Sequence, residues 1–316
     1  MPHTLPFLRL GQSLIDDYPA TAERLTPFHE PRYLAARAPT WGYWLTPGGF
    51  AAPMIVLRKA GLRYGQLTGR LIGLKSGYAE PTQQDFDSFW QLADRMDFLL
   101  SPVATAYSRL VPAGAHSLPF GTLWLSLIPT EDQLLAAMHH KHRYKIRKAE
   151  REGVEIRWGL DQADRFYQLL RRTSERQDRA QVVSRREFDS LVAGFAEHVE
   201  IVMAYDPKGA QQGGALYLWN AEGCYYLYGA SADDPQMGAI NLLHWRVMQT
   251  MRARGVPKYD FVGARPTVEP NSKLAGIQDF KERFGSQFDA GFLWTLTFRP
   301  ARRTIYDGLK WIQGKL

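Results

Sequence analysis

The sequence predicts a mixed α/β fold made of two tandem copies of one small unit. Three observations predict it. The chain has 316 residues, enough for two domains of ordinary size. Runs rich in β-branched and aromatic residues alternate with runs of helical apolar spacing. The order of these runs in the second part returns, more loosely, in the first third. Apolar residues make up 45% and aromatic residues 13%, ample for packed cores.

In the first third, "APMIVLRKA" and "LRYGQLTG" are strand candidates separated by Gly61. "PTQQDFDSFWQLADRMDFLL" opens with Pro81 and Thr82 and has helical spacing at Phe86, Phe89, Trp90 and Ala93. "LPFGTLWLSLIP" reads as a strand closing at Pro129. Thr130, followed by Glu131 and Asp132, then caps a new helix. Helices follow at "QADRFYQLLRRTSERQ" and "SRREFDSLVAGFAEH", then strands at "VEIVMAYD", "GGALYLWN" and "GCYYLYGAS". The long helix "AINLLHWRVMQTMRARG" carries Ile240, Leu243, Val247 and Met251 on one side and stops at Gly255. "KYDFVGA" is a last strand. Helices, antiparallel strands, then helix and strand is an order that resembles a GNAT-type acyltransferase domain.

The formal net charge is +7 and the pI about 9.4, so an acidic partner is expected: nucleic acid, a nucleotide substrate or an anionic membrane surface. Much of this charge sits in "HHKHRYKIRKAEREGVEIR", residues 139–157, which stays basic until Glu150. With residues 131–151 on one helical wheel, Leu134, Leu135, Met138, Ile146 and Ala149 share a side, with His142 and Lys145 among them. Lys141, Arg143, Arg147, Lys148 and Arg151 cover most of the rest. Phosphate oxygens complement such a surface. A plain solvated helix face is the competing account.

Cys224 is the single cysteine, which gives no disulfide framework and fits a reducing cytoplasm. Asp16 and Asp17 interrupt the first twenty residues, so no signal peptide is expected. No apolar run approaches the roughly 18 residues of a membrane-spanning helix. HExxH, CxxC and GxSxG motifs are absent. "GRLIGLKSG" fails as a P-loop, because Gly69 and Gly73 are one residue too close and Leu74 precedes Lys75. His139, His140 and His142 lack i, i+4 pairing and lie in a cationic field, so no metal is expected there. Before the long helix, "DDPQMGAINLL" lacks the Q/R-x-x-G-x-G/A cradle of acyl-CoA-dependent GNAT enzymes. Gln236 and Gly238 are too close, and Asp233 and Asp234 repel phosphate, which suggests another donor. In "GIQDFKERFGSQFDAG", Lys281 stands between Phe280 and Phe284. A lysine desolvated by aromatics can stabilise a developing oxyanion. The plainer account is a surface lysine on a helix whose aromatics are core.

Four stretches in order, "KHRYKIRKAEREGVEIR", "TSERQDRAQVVSRREFDSL", "YYLYGASADDPQMGAINLLHWRVMQTMRARGVPKYDFVGA" and "GIQDFKERFG", make the chain resemble the FemABX aminoacyltransferases of peptidoglycan interpeptide bridges. The likeness covers 131–316 well and the first 130 residues by general layout. It implies two GNAT-like domains, 1–129 plus 297–316 and 130–296, the C-terminal helix returning to the first. It implies transfer of an amino acid from aminoacyl-tRNA to an amino group on the stem peptide of a UDP-linked or lipid-linked muropeptide. No cofactor is implied, and the protein is expected to be a cytoplasmic monomer, with peripheral contact at the inner membrane face. The family's catalytic lysine falls on Lys281, after Phe280, and its acceptor-contacting tyrosine on Tyr228. Substrate-contacting cations are expected among Lys141, Arg143, Lys145 and Arg147, at Arg185 or Arg186, and at Arg283. Members commonly carry an "RGP" segment where this chain has "LTGRLIG", a lysine where it has Leu45 and a tyrosine where it has Phe188. The short turn in "YDPKGAQQGGALYLW" leaves no room for the helical hairpin of larger members. The alternatives are a GNAT N-acyltransferase with a CoA or other thioester donor, and a non-catalytic RNA- or membrane-binding module. The terminal "RRTIYDGLKWIQGKL" sets Ile305, Leu309 and Ile312 opposite Arg302, Arg303 and Lys310. That face suits packing on the first domain or contact with anionic lipid.

Overall fold

The computed structural model describes residues 25–59, 61–73, 80–177 and 183–304. Lys75 and the apolar face at Ile305, Leu309 and Ile312 lie outside these residues. The described residues form two units, one up to Gly121 together with those from Ala290 onward, the other over Thr122–Asp289. Both divisions between these units fall inside long strands.

The first unit begins with α1 (Pro31–Arg37), which the sequence reading did not foresee. β1 (Thr40–Leu45) and β2 (Phe50–Lys59) form a hairpin, and β3 (Leu62–Leu67) extends it antiparallel. β4 (Ile72–Gly73) also pairs with β2. The helix expected from Thr82 onward is short: α2 (Gln83–Asp87) has its capping box and then tightens into a 3-10 helix over Ser88–Asp94. The Ser88 hydroxyl donates to the Asp85 carbonyl at 2.6 Å, the acceptor that the next helical N–H would use. The tighter winding turns Trp90 outward and brings Leu92 into the core beside Phe86 and Phe89. β5 (Leu99–Pro102) then runs parallel to β3.

β6 (His116–Ser126) holds the first boundary. In the second unit, Thr130 and Gln133 form a capping box that opens α3 (Glu131–Ala137). The single helix expected over 131–151 is in fact two. Met138 is extended, with φ −69° and ψ 147°, and His139 caps α4 (His140–Arg151). The break lets both Leu134 and Met138 reach the core, while α4 buries His142, Ile146 and Ala149 as its own wheel predicts. β7 (Glu155–Trp158), α5 (Ala163–Arg176), α6 (Arg185–Gly194), β8 (Val199–Tyr205), β9 (Gln211–Asn220), β10 (Gly223–Ser231), α7 (Ala239–Ala253) and β11 (Lys258–Asp260) follow. The strand order is β6-β11-β10-β9-β8-β7, antiparallel except where β11 joins β10. Neighbouring glycines in β9 face opposite sides of this sheet. A Cβ on Gly213 would stand 2.1 Å from Ile240 of α7, and one on Gly214 2.9 Å from Phe166 of α5. The pair thus admits one helix closely on each face.

β10 carries the buried Cys224 and shifts register between Tyr226 and Tyr228. β11 meets it only through Cys224–Tyr259 and Tyr225–Asp260, while β10 runs on to Ser231. α8 (Lys273–Glu282) comes next, and β12 (Gln287–Thr297) ends in the first unit, where Leu296 and Thr297 pair with β5.

Candidate active site

Ser272 starts α8 by accepting from the Ala275 N–H at 3.1 Å. That phase turns Lys281 inward, where it is 8% exposed. The surface lysine of the plainer account is therefore not what the fold contains. Its Nζ donates to the carbonyls of Val262 at 2.9 Å and Gly263 at 2.7 Å. Both residues are left-handed, with φ 47° and 76°. For a β-branched residue this is a strained conformation, costing on the order of 1–3 kcal/mol. Asp260 holds it: its Oδ1 accepts from the Val262 N–H at 2.9 Å and from the Thr122 hydroxyl. Burial pulls the Lys281 pKa down from 10.5 to about 8, with Asp260 opposing the shift. An ammonium has three donors. Two are bound to the loop carbonyls, which leaves one for a substrate oxygen.

Phe280 is half-buried, its ring against His142, His244 and Phe284. The sequence reading missed His244. It is fully buried on α7, and its Nδ1 lies 2.9 Å from the Tyr217 hydroxyl and 2.6 Å from that of Tyr259. Burial lowers its pKa to about 3, with the nearby Lys281 charge adding to the effect, so the ring is neutral. The signal was a lone histidine in the apolar run "NLLHWRVM". Asp260, Thr122 and Val262 were missed as well, and nothing local in the sequence marks them.

The cations of α4 divide into two groups. Lys141 and Arg147 are exposed and Lys145 half-exposed, and none makes an ion pair among the described residues. Arg143, expected on the same substrate surface, is turned back. Its guanidinium donates to the carbonyls of Leu135, Ala136 and Met138 and closes the end of α3. Lys148 pairs with Glu152 at 2.6 Å. Exposed Tyr144 sits amid the free cations. The three histidines part ways: the His139 Nδ1 accepts from the Lys141 N–H, His140 is exposed and His142 is core.

Of the remaining expected residues, Arg185 is engaged by Asp189 at 2.8 Å and Asp164 at 2.6 Å, which raise its pKa and tie α6 to α5. Arg186 is exposed. Arg283 pairs with Asp279 at 2.8 Å, and its carbonyl accepts from the His139 N–H. Tyr228 is buried in β10, just past the register shift. Phe188 is core, between Phe166 and Tyr167. Gly238 precedes α7 with φ 88°, and a Cβ there would lie 2.1 Å from the Lys145 carbonyl. The start of α7 is thus packed directly on the backbone of α4, with the Asp233 carboxylate bound nearby in sequence by Arg176.

A family model for an acetyltransferase (GNAT) domain matches residues 136–282. The lipid II:glycine glycyltransferase of Staphylococcus saprophyticus is 27% identical over 116 residues, 35% of this chain and 28% of its own length. That of Staphylococcus haemolyticus is 31% identical over 86 residues, 27% and 20% respectively. The chain therefore matches under a third of the length of these curated relatives. The crystal structure of FemX, 14% identical, superposes over 91% of this chain and 97% of its own with a TM-score of 0.65. The C-terminal domain of a putative lysylphosphatidylglycerol synthetase from Agrobacterium fabrum, also 14% identical, covers 84% and 86% with a TM-score of 0.54. These likenesses establish the GNAT-like α/β fold expected from the order of elements.

Proposed function

We propose that the chain is a member of the FemABX family and an aminoacyltransferase. It moves an amino acid from aminoacyl-tRNA to an amino group on a muropeptide stem. The names of the partial relatives favour a lipid-linked acceptor over a UDP-linked one, and glycine as the first donor to try. In this reading residues 1–129 with 297–316 serve the acceptor, and residues 130–296 the donor and the chemistry. A lipid-linked acceptor draws the protein to the inner membrane face. No helix among the described residues is long and apolar enough to cross a membrane.

The observation that carries the reading is the Lys281 ammonium, buried, held by two carbonyls, with one N–H unspent. The acceptor amine, unprotonated, attacks the ester carbonyl of the charged tRNA. A C–N bond forms and the carbonyl oxygen becomes an oxyanion, which the remaining Lys281 N–H stabilises. The C–O bond to ribose then breaks, and the ribose oxygen leaves with the proton lost by the amine. No protein nucleophile is required; positioning and charge supply the catalysis. The free cations of α4 supply a surface for tRNA or acceptor phosphates.

Incubation with a pool of charged tRNAs and both precursors, read by mass spectrometry, tests this. A gain of one aminoacyl residue on a muropeptide is expected; the absence of any gain with every pair rejects it. The name of the matching family model favours a second reading, a CoA-dependent acyltransferase. A ligand at a hundred times its dissociation constant adds about 2.7 kcal/mol to folding stability. Because α4 fills the start of α7, acetyl-CoA is expected to leave the melting temperature unchanged, and a clear rise would favour this second reading.

A further inference from the structure

We infer that His142 is a positioning residue for Lys281: its bond to the Phe280 carbonyl ties the cation-bearing helix α4 to the last turn of α8 and so holds the ammonium at its two loop carbonyls. The inference rests on the role of Lys281 given above.

The bond is 3.0 Å long, from His142 Nε2 to the Phe280 oxygen. A carbonyl only accepts, so Nε2 carries the proton. The ring is neutral, its pKa held near 4 chiefly by burial, with Lys145 and Arg283 lowering it further and Asp279 opposing them. Nδ1 is therefore a bare acceptor, and among the described residues it is buried without a partner. Packing gives no reason for that. The ring lies between Phe280 and Phe284, at 5.2 and 4.6 Å, where a phenyl group would fill the space with no ring nitrogen left unmatched. What an imidazole adds is the Nε2–H.

The surroundings show what that donor holds. The chain around this bond is also joined elsewhere: at the cap of α4 the His139 N–H donates to the Arg283 carbonyl at 2.9 Å, and Gly285, with φ 81°, lies against the Ala137 carbonyl at the end of α3. These links sit beyond Lys281. Among the described residues, the His142 bond is the one that α4 makes to the peptide leading into it. Lys141 and Lys145, one residue before and three after, point outward from the same turn of α4. An anion held outside and the ammonium held inside are thus referenced to one turn of helix. Asp260 and His244 are the titratable groups that act on Lys281 from β11 and α7.

The test compares His142→Gln, which retains a donor at a similar reach, with His142→Phe, which retains the volume and loses the donor. The first readout needs no transfer: the pH dependence of acetic anhydride labelling at Lys281, followed by mass spectrometry. Wild type and the Gln variant should label with a midpoint near about 8. In the Phe variant a loosened ammonium meets water, and the midpoint should rise by about one unit or more. The second readout is transfer, where Phe should lower kcat by about tenfold or more with KM for charged tRNA within about threefold, and Gln should restore kcat. A folded Phe variant with unchanged midpoint and kcat overturns the inference, as does a Gln variant that behaves like Phe. If Phe does not fold, His142→Met replaces it. Failure of both to fold beside a folded Gln variant makes the bond a requirement of folding, and also overturns the inference. Lys281→Met serves as the control: if it transfers normally, the role of Lys281 fails, while the labelling still decides whether His142 holds the ammonium.

Discussion

The outer face of α4 and the inner end of α8 both carry lysine, and the two regions use it in opposite ways. Lys141 and Lys145 stand in or near water, where a charge costs little and attracts phosphate at long range. Lys281 has given up most of its water for two carbonyls, and its pKa falls to about 8 in consequence. The first arrangement suits binding. The second suits a transition state, because a charge already desolvated and fixed needs no reorganisation when an oxyanion appears. Arg143, on the same helix as Lys141, belongs to neither group, since it closes the end of α3.

The sharpest break in this comparison is Lys281→Met. Transfer should fall by about 10²–10³-fold, with charged-tRNA affinity near that of wild type. Stability should stay within about 2 kcal/mol, since relief of a buried charge offsets two carbonyls left bare. Wild-type turnover in this variant would reduce Lys281 to a structural residue.

The pH dependence follows. If the cation is the catalytic form, the rate should fall up to about tenfold per unit once pH passes about 8. Folding stability should move the other way. The unfolded chain keeps this proton to 10.5 and the folded chain only to about 8, so stability rises with pH between those values. Below about 8 both states hold the proton and the cost of the buried charge is fully present. Urea titrations of wild type and Lys281→Met from about pH 7 to about pH 10 check this; a rise of equal size in both would assign it to another group.

Charge on α4 should act on binding instead. Replacing Lys141, Lys145 and Arg147 with alanine should weaken charged-tRNA or muropeptide binding and flatten its salt dependence. The log–log slope should fall by about 0.9 or less for each phosphate no longer neutralised. The turnover of bound substrate should stay within about threefold. Salt-insensitive binding, or a triple variant that binds normally, leaves this a solvated face. The smallest effect is at Arg143. Its replacement by alanine should cost about 1–2 kcal/mol of stability by uncapping α3, with the salt slope unchanged. A reduced slope would return Arg143 to the binding surface.

Periodicity made much of the second unit legible. It located the buried stripe of α4, including His142, and the stop at Gly255. It did not show the break at Met138, because that depends on Arg143 reaching back to the carbonyls at the end of α3 and on His139 taking the cap. The flanking of Lys281 by Phe280 and Phe284 was visible. Its depth was not, since the two carbonyls that hold it come from a strained turn far earlier in the chain, itself fixed by Asp260 and Thr122. Arg185 shows the reverse failure. Its partner Asp189 stood one helical turn away in plain sight, a spacing at which side chains meet. Asp164, on another helix, completed the engagement.

Cys224 lies fully buried on β10, paired with Tyr259 of β11, and the chain has no other cysteine. Burial raises its thiol pKa, so in the closed fold it neither ionises readily nor meets reagent. Any reaction with a thiol probe therefore times an excursion of this one unit, as amide exchange times the opening of a helix. The first unit has no thiol of its own. A chain with two compact units thus contains a stopwatch in one of them, and ligands that bind that unit should slow it.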